Sequence, residues 1–417
     1  MLANEINDTL TRVGPGTRMG ALLRRYWYPI AATADLEKKW TKRVRLLGED
    51  LVLFKDRLGR FGLIEERCPH RRASFAYGIP TEEGIRCPYH GWHMDHLGRC
   101  VDQPNEPNPS ALKGKRMTAG YRVEELGGMI WAYMGPEPAP ILPRFDGFVA
   151  ERSIRHIGRA IIPVNWLQIM ENSVDPIHTE WLHGKHYEFL KEEEGIKVAI
   201  SRHHLKVAFD EFEFGIIKRR LLEGQSEESD DWRVGHPLVF PNMLSVGNGN
   251  DDSKTFSFQI RTPIDDTHTL HLWFTAYVPP KSIEVPAHLL ERVPVYEVPF
   301  LDENGEHIVD YVDGEDIMAW VTQGPIADRS GESLGTTDAG VIMLRRMLQR
   351  ELEKIERDED PIGVLRGPRG NDPIALPVER NKHHFSDGFA ARTMRTQSRY
   401  SPISDEVIAL FTAARAR

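Results

Sequence analysis

Two short clusters of metal-binding side chains lie close together early in the chain: Cys68-Pro69-His70 and, after sixteen intervening residues, Cys87-Pro88-Tyr89-His90. Each supplies one thiolate and one imidazole. Two such loops facing each other could hold a two-iron, two-sulfur cluster, the thiolates on one iron and the imidazoles on the other. The same four ligands fit a tetrahedral zinc ion, although zinc modules usually pair cysteine with cysteine in one knuckle. A chance grouping would have to explain why two of only three cysteines fall into this pattern.

A second set begins a hundred residues downstream, in the segment from Asn165 to His183, with Asp175, His178 and His183. Two neutral imidazoles and one carboxylate on one face of an iron leave positions open for dioxygen and substrate. On a straight helix, residues five apart diverge by about 140°, too far for one small ion. The helix must therefore end, bend or widen between His178 and His183, and Gly184 just beyond permits an end. The plainer reading is a surface helix with exposed histidines, in a chain that has 17 of them. The cluster motif upstream tells against it.

The pattern Cys-x-His … Cys-x-x-His, followed directly by Gly91-Trp92, closely resembles the Rieske family. The segment Asp175-x-x-His178-x4-His183, with Asn165-Trp166, Gln168 and Glu171-Asn172, resembles the iron-binding helix of Rieske non-haem iron oxygenases. Gln323-Gly-Pro-Ile-Ala-Asp328-Arg329 resembles the phthalate-dioxygenase-like branch, which includes aromatic-acid O-demethylases. The resemblance implies a Rieske 2Fe-2S cluster on Cys68, His70, Cys87 and His90, and a mononuclear Fe(II) on His178, His183 and a late aspartate. Asp316, in Asp313-Gly-Glu315-Asp316-Ile-Met-Ala-Trp320, is the expected third ligand, with Asp313 and Asp328 as alternatives. Catalytic roles are implied for Asn172 and Asp175. Asp175 lies one turn before His178, would orient that ring, and in family trimers also meets a cluster histidine, here His90, of a neighbouring subunit.

The elements that must position these residues read as an α+β chain of two domains. Residues 1–143 are expected to form the iron–sulfur domain, with an N-terminal extension. Met19 to Trp27 is expected to be helical, stopped before Pro29. Period-two stretches at Val44–Leu47, Asp50–Phe54, Phe61–Ile64, Tyr121–Glu125 and Met129–Tyr133 make it all-β. Pro136 to Pro143 holds four prolines and reads as a linker. Residues 144–417 are expected to carry a broad antiparallel sheet covered by helices. Its strands are expected at Arg159–Ile162, Val198–Ser201, His204–Phe209, Phe214–Leu222, Arg233–Phe240, Phe256–Thr262 and Thr269–Tyr277. Helices are expected at Asn165–His183, Asp313–Gln323 and Ala339–Arg357. Lys281–Asp310 reads as an insertion that could cap a larger pocket, and the tail from Asp358 has no clear period.

Composition narrows the function classes. The chain has 417 residues, 40% of them hydrophobic, enough for more than one core. Its net charge of −9 suggests neither nucleic acid nor an anionic membrane as partner. The first residues are polar and acidic, and no apolar run reaches the length of a membrane span. With two cysteines given to iron, Cys100 has no partner for an intramolecular disulfide, which fits a reducing cytoplasm. Respiratory-chain Rieske proteins carry an extra cysteine pair and an anchor, so the oxygenase branch is the better match.

The resemblance implies the terminal oxygenase of a multicomponent system. It takes NAD(P)H-derived electrons from a separate reductase or ferredoxin, and it assembles as a trimer or a dimer of trimers. Dioxygen and an aromatic carboxylate are the expected substrates, with O-demethylation of a methoxylated, lignin-derived acid favoured over phthalate-type ring dihydroxylation. A non-catalytic Rieske electron carrier is the alternative from another class. Arg219 and Arg233 are the candidate cations for the substrate carboxylate, since a guanidinium matches that group with two hydrogen bonds.

Overall fold

The computed structural model describes residues 2–108, 111–249, 253–367, 372–379 and 388–413. The chain divides into two units, one of Arg12–Pro143 with Val364–Pro368, the other of Met1–Thr11, Arg144–Gly363 and Arg369–Arg417. The first helix, Asn4–Thr11, thus leaves the expected 1–143 span and joins the larger unit. Asn7 Nδ2 donates to the Ala327 carbonyl at 3.0 Å, and Asn165 Nδ2 donates to that of Thr11 at 2.9 Å.

The smaller unit is all-β. Strands β1 (Trp27–Ala32), β2 (Thr41–Leu46), β3 (Glu49–Lys55) and β4 (Phe61–Glu65) precede four short strands. These are β5 (Ile79–Pro80), β6 (Ile85–Arg86), β7 (His93–Met94) and β8 (Cys100–Asp102), and β9 (Gly120–Leu126) and β10 (Met129–Tyr133) follow. One sheet runs β1-β10-β9-β4-β3-β2 and the other β5-β6-β7-β8. The helix expected over Met19–Trp27 is shorter, Arg18–Leu23. Thr17 caps it by accepting from the Gly20 amide at 3.1 Å, and Trp27 opens a strand instead. Pro29 is tolerated because β1 is an edge strand whose register shifts at that point. Cys68, Cys87 and Cys100 are buried with Val52, Phe54, Ile64 and Met94, so the cluster loops are anchored in this unit's apolar core.

The larger unit is built on an eight-stranded sheet, ordered β12-β13-β14-β15-β16-β17-β11-β18. Its strands are β11 (Ile154–Ile162), β12 (His204–Phe212), β13 (Gly215–Leu222), β14 (His236–Val239), β15 (Met243–Gly249), β16 (Lys254–Pro263), β17 (Thr269–Val278) and β18 (Val295–Glu297). All neighbours are antiparallel except β11 and β18. Val198–Ser201 forms no strand, because the amides of Ile200 and Ser201 donate to the Glu188 carboxylate at 2.7 and 2.8 Å. The strand expected from Arg233 begins at His236, since Asp230–Arg233 forms a helical turn. The supposed insertion 281–310 contributes β18 and buries Leu289, Tyr296 and Val298.

Helix Trp166–Val174 and helix Val312–Val321 lie side by side for a reason visible in their side chains. Ile169, Ile317 and Trp320 meet Trp273 of β17 in one buried cluster, and each such apolar side chain adds roughly 1.5–3 kcal/mol. Polar contacts then fix the register. Gln168 Nε2 donates to the carbonyls of Trp320 (3.1 Å) and Gly324 (3.0 Å), and its Oε1 accepts from the Ala327 amide at 2.6 Å. Glu171 receives both Arg329 (2.7 Å) and Arg345 (2.6 Å), all three largely buried. Glu171→Gln should therefore lower the unfolding free energy by about 3–5 kcal/mol, because it leaves the buried Arg329 guanidinium without a counter-charge, while Arg345 keeps Glu332. Guanidinium unfolding followed by tryptophan fluorescence measures this; a loss under ~1 kcal/mol would mean the trio acts as an exposed ion pair.

Candidate metal centres and cavity

The two cysteine loops share one backbone design. The Arg72 amide donates to the Cys68 carbonyl (2.9 Å) and the Cys68 amide to that of Ala73 (2.8 Å). In the second loop Gly91 donates to Cys87 (3.0 Å) and Cys87 to Trp92 (2.8 Å). Both turns need a left-handed residue at the same place, Arg72 (φ 62°) and Gly91 (φ 74°). This brings the His70 and His90 rings to 4.6 Å between centroids, with Trp92 stacked on His70. The Nδ1 atom of His70 is buried with no hydrogen-bond partner, as a ligand atom would be. Burial pushes the Cys68 thiol up to about 11, with Cys87 beside it adding to the rise, so metal binding must remove that proton. Among the described residues, the sets of three donors gathered within 4.8 Å do not include these ligands. A single tetrahedral ion would draw them closer, whereas two irons spread them apart.

His178, His183 and Asp316 do gather, with all three ligand atoms within 4.8 Å of one another. Asp316 Oδ1 stands 3.3 Å from His183 Nε2 and 3.7 Å from His178 Nε2. Ligand atoms on one face of an octahedral metal lie about 3 Å apart, so the set needs little adjustment. Asp316 Oδ1 is buried without a hydrogen bond, which a metal would supply. The spacing problem is solved by widening: the chain breaks at Asp175-Pro176, restarts at His178–Glu180 and passes into a π-helical turn over Trp181–His186. That geometry brings residues five apart onto one face.

Acidic groups behind the rings orient them. Glu315, fully buried, receives His183 Nδ1 at 2.7 Å and the Arg395 guanidinium at 3.2 Å. Burial opposes a charge on His183, but Asp316 and Glu315 raise it to about 10, so a metal taken up here displaces a proton. Asp175 Oδ2 lies 3.5 Å from His178 Nδ1, an electrostatic contact rather than a hydrogen bond at that length. Despite burial, Asp175 is held below the ordinary carboxylate range by His178 and by the Ile177 amide, which donates to Oδ1 at 2.7 Å. Asp313 does not join the triad: it accepts from the Gln397 amide at 2.7 Å, and burial pushes it up to about 6. Asp328 is exposed and caps a turn at Ser330.

The triad opens into a cavity of about 340 Å³, lined also by Asn172. Its floor is the sheet, from Trp273 to Tyr277 along β17, four residue steps or about 13 Å. Neither expected arginine reaches it. Side chains alternate along β13, so Lys218 and Arg220 face the cavity while Arg219 points away, to Asp210 and the Trp232 carbonyl. Arg233 is exposed beside Asp230. The 281–310 segment does not line the cavity either; Phe389, Arg392 and Gln397 of the C-terminal segment do. Asp231, His236 and Glu379 also cluster, but Asp231 is engaged by Arg220 and Gln225, and His236 by Glu379, as an ion network.

The chain belongs to the oxygenase subunits of Rieske non-haem iron oxygenases. Residues 26–121 match the Rieske 2Fe-2S domain family, and residues 307–371 match the family described as LigXa C-terminal domain like. The chain is 43% identical to the 5,5'-dehydrodivanillate O-demethylase oxygenase subunit of a Sphingobium species, over 91% of this chain and 87% of that one. It is 32% identical to the phthalate 4,5-dioxygenase oxygenase subunit of Pseudomonas putida, over 87% and 89%. In fold it is similar to NdmA of Pseudomonas putida CBB5, with a TM-score of 0.60 at 20% identity, covering 85% of this chain and all of the other. It acts as an enzyme, the terminal oxygenase component. Among the described residues no helix is long and apolar enough to cross a membrane.

Proposed function

We propose that the chain O-demethylates a methoxylated aromatic acid at a mononuclear iron held by His178, His183 and Asp316. The observation that carries this reading is similarity over nearly the whole chain to a dehydrodivanillate O-demethylase subunit. A cavity of about 340 Å³ beside the triad, lined along β17 from Trp273 to Tyr277, supports it. When bound, the iron supplies dioxygen activation. The chain's own residues do the rest. Glu315 and Asp175 orient the two imidazoles, and the sheet floor and the C-terminal segment enclose the substrate.

In the overall reaction a methyl ether, dioxygen, two electrons and two protons give a phenol, formaldehyde and water. The electrons would come from NAD(P)H through a separate reductase or ferredoxin, and Cys68, His70, Cys87 and His90 would hold the cluster that supplies this redox chemistry. We further infer a cytoplasmic homotrimer, in which Asp175 of one copy faces His90 of the next. Ring dihydroxylation is the second reading, favoured by the phthalate 4,5-dioxygenase relative. Product analysis decides between them. With a surrogate reductase, vanillate and its biaryl dimer should each yield one formaldehyde per ether cleaved. A cis-diol without formaldehyde would overturn the proposal in favour of dihydroxylation.

A further inference from the structure

Lys218 is the one lysine lining the cavity among the described residues, and it is buried. It stands mid-strand on β13, 8% exposed, and lines the cavity. No hydrogen bond or ion pair among the described residues holds it, whereas its neighbour Arg220 is engaged by Asp231 (2.8 Å) and Thr179 (3.2 Å). Burial pushes Lys218 down to about 7, the mark of a cation short of a counter-ion. The carboxylates whose charge reaches it, Asp175 and Asp316, belong to the iron site and make no contact with it. The sheet floor tells the same story. Asn248 and Thr255, paired across β15 and β16, and Thr275 on β17 line the cavity with buried polar atoms that have no partner among the described residues. Buried polar groups are ordinarily satisfied, so a run of unsatisfied ones around one cavity marks a place built for a polar ligand.

We propose that Lys218 is the specificity-determining cation of this oxygenase, receiving an anionic oxygen of the aromatic substrate, either its carboxylate or its phenolate. The proposal rests on the aromatic-acid reading of the same cavity and adds the residue that reads the charge. Lysine suits this position because its compact ammonium group offers three donors to one oxygen at close range, without the planar fork that Arg219 would have needed.

The test is calorimetric binding to the full chain loaded with cluster and iron, using vanillate, its neutral amide, and veratrate, which keeps the carboxylate but lacks the phenol. Lys218→Met should raise the Kd of vanillate and veratrate roughly 10–100-fold, the loss of one hydrogen bond to a charged group, and leave the amide within about 2-fold. Lys218→Arg, which keeps the charge, should recover most of the acid binding. Weakening of vanillate but not veratrate supports the proposal and assigns the phenolate as the group read. Equal weakening of vanillate, veratrate and the amide would make Lys218 a structural counter-charge and overturn it, as would unchanged acid binding or no binding of any acid to the wild type. Formaldehyde released equally from vanillate, its amide and veratrate would discard Lys218 as the selector while leaving O-demethylation standing. Formaldehyde from neither acid would remove the underlying reading.

Discussion

Replacing His178 or His183 by alanine is expected to abolish turnover while leaving the iron–sulfur cluster in place. Iron content should fall from about three per chain to about two, as the two ligand sets require. The geometry makes the effect steep. The triad offers one atom from each residue, so removing either ring leaves only two donors. Cys68, His70, Cys87 and His90 lie in the other unit, the two cysteines buried in its own core, so the cluster should not feel the change. The two variants should differ in stability. His183→Ala also strips Glu315 of one partner and leaves that buried carboxylate to Arg395 alone, whereas behind the His178 ring stands only the longer contact to Asp175. His183→Ala should therefore unfold earlier. Metal analysis, visible spectra and oxygen uptake on the same preparations test all three statements. Loss of both centres would indicate a folding defect, and retained turnover in either variant would remove these residues from the iron site.

The chemistry was legible where it is local in sequence. Both cysteine loops are short, and each keeps its ligands within four residues, so spacing alone carried the pattern. His178 and His183 could be read the same way, and their awkward five-residue separation called for a break or a widened helix; the π-helical turn at Trp181–His186 supplies it. Gln168, Glu171 and the 323–329 stretch were visible as family signatures but not as partners. The structure shows them bonded to one another across about 150 residues.

What was not legible depends on which face of an element is covered. In the run Lys218-Arg219-Arg220, alternation separates Arg219 from the other two, but only the position of the cavity says which side matters. Glu315 precedes Asp316 in the first turn of its helix, where acidic residues are ordinary, and only its approach to His183 distinguishes it. The C-terminal segment has no sustained period because it packs as short pieces. Helix Phe389–Met394, the turn Gln397–Tyr400 and helix Ser404–Ala413 bury isolated residues such as Phe389, Val407 and Phe411. The strands expected at Asp50–Phe54 and Phe61–Ile64, by contrast, appear within a residue of those places, and the one expected at Val44–Leu47 begins three residues earlier, at Thr41.

Asp175→Asn should slow electron transfer between the two centres without emptying either. The substitution keeps an acceptor oxygen for the Ile177 amide, so the restart of the helix before His178 survives. Neither iron loses a direct ligand. What disappears is the negative charge 3.5 Å from His178 Nδ1 and, in the proposed trimer, the acidic group that faces His90 of a neighbouring copy. Loss of such an orienting group typically costs about 10–100-fold. Stopped-flow single turnover, following oxidation of the reduced cluster after mixing with dioxygen and substrate, reads that step directly. Its rate should fall by that factor while iron content and the reduced cluster's spectrum stay unchanged. A wild-type rate in the variant would reduce Asp175 to a cap on the helix restart, the role its contacts to the Ile177 and His178 amides already describe. The oligomer provides the second arm. If the route runs between subunits, dilution to monomer should slow cluster oxidation in the wild type and have little further effect on the variant. A protein that is fully active as a monomer would rule out the inter-subunit route and leave Asp175 acting only through His178 of its own chain.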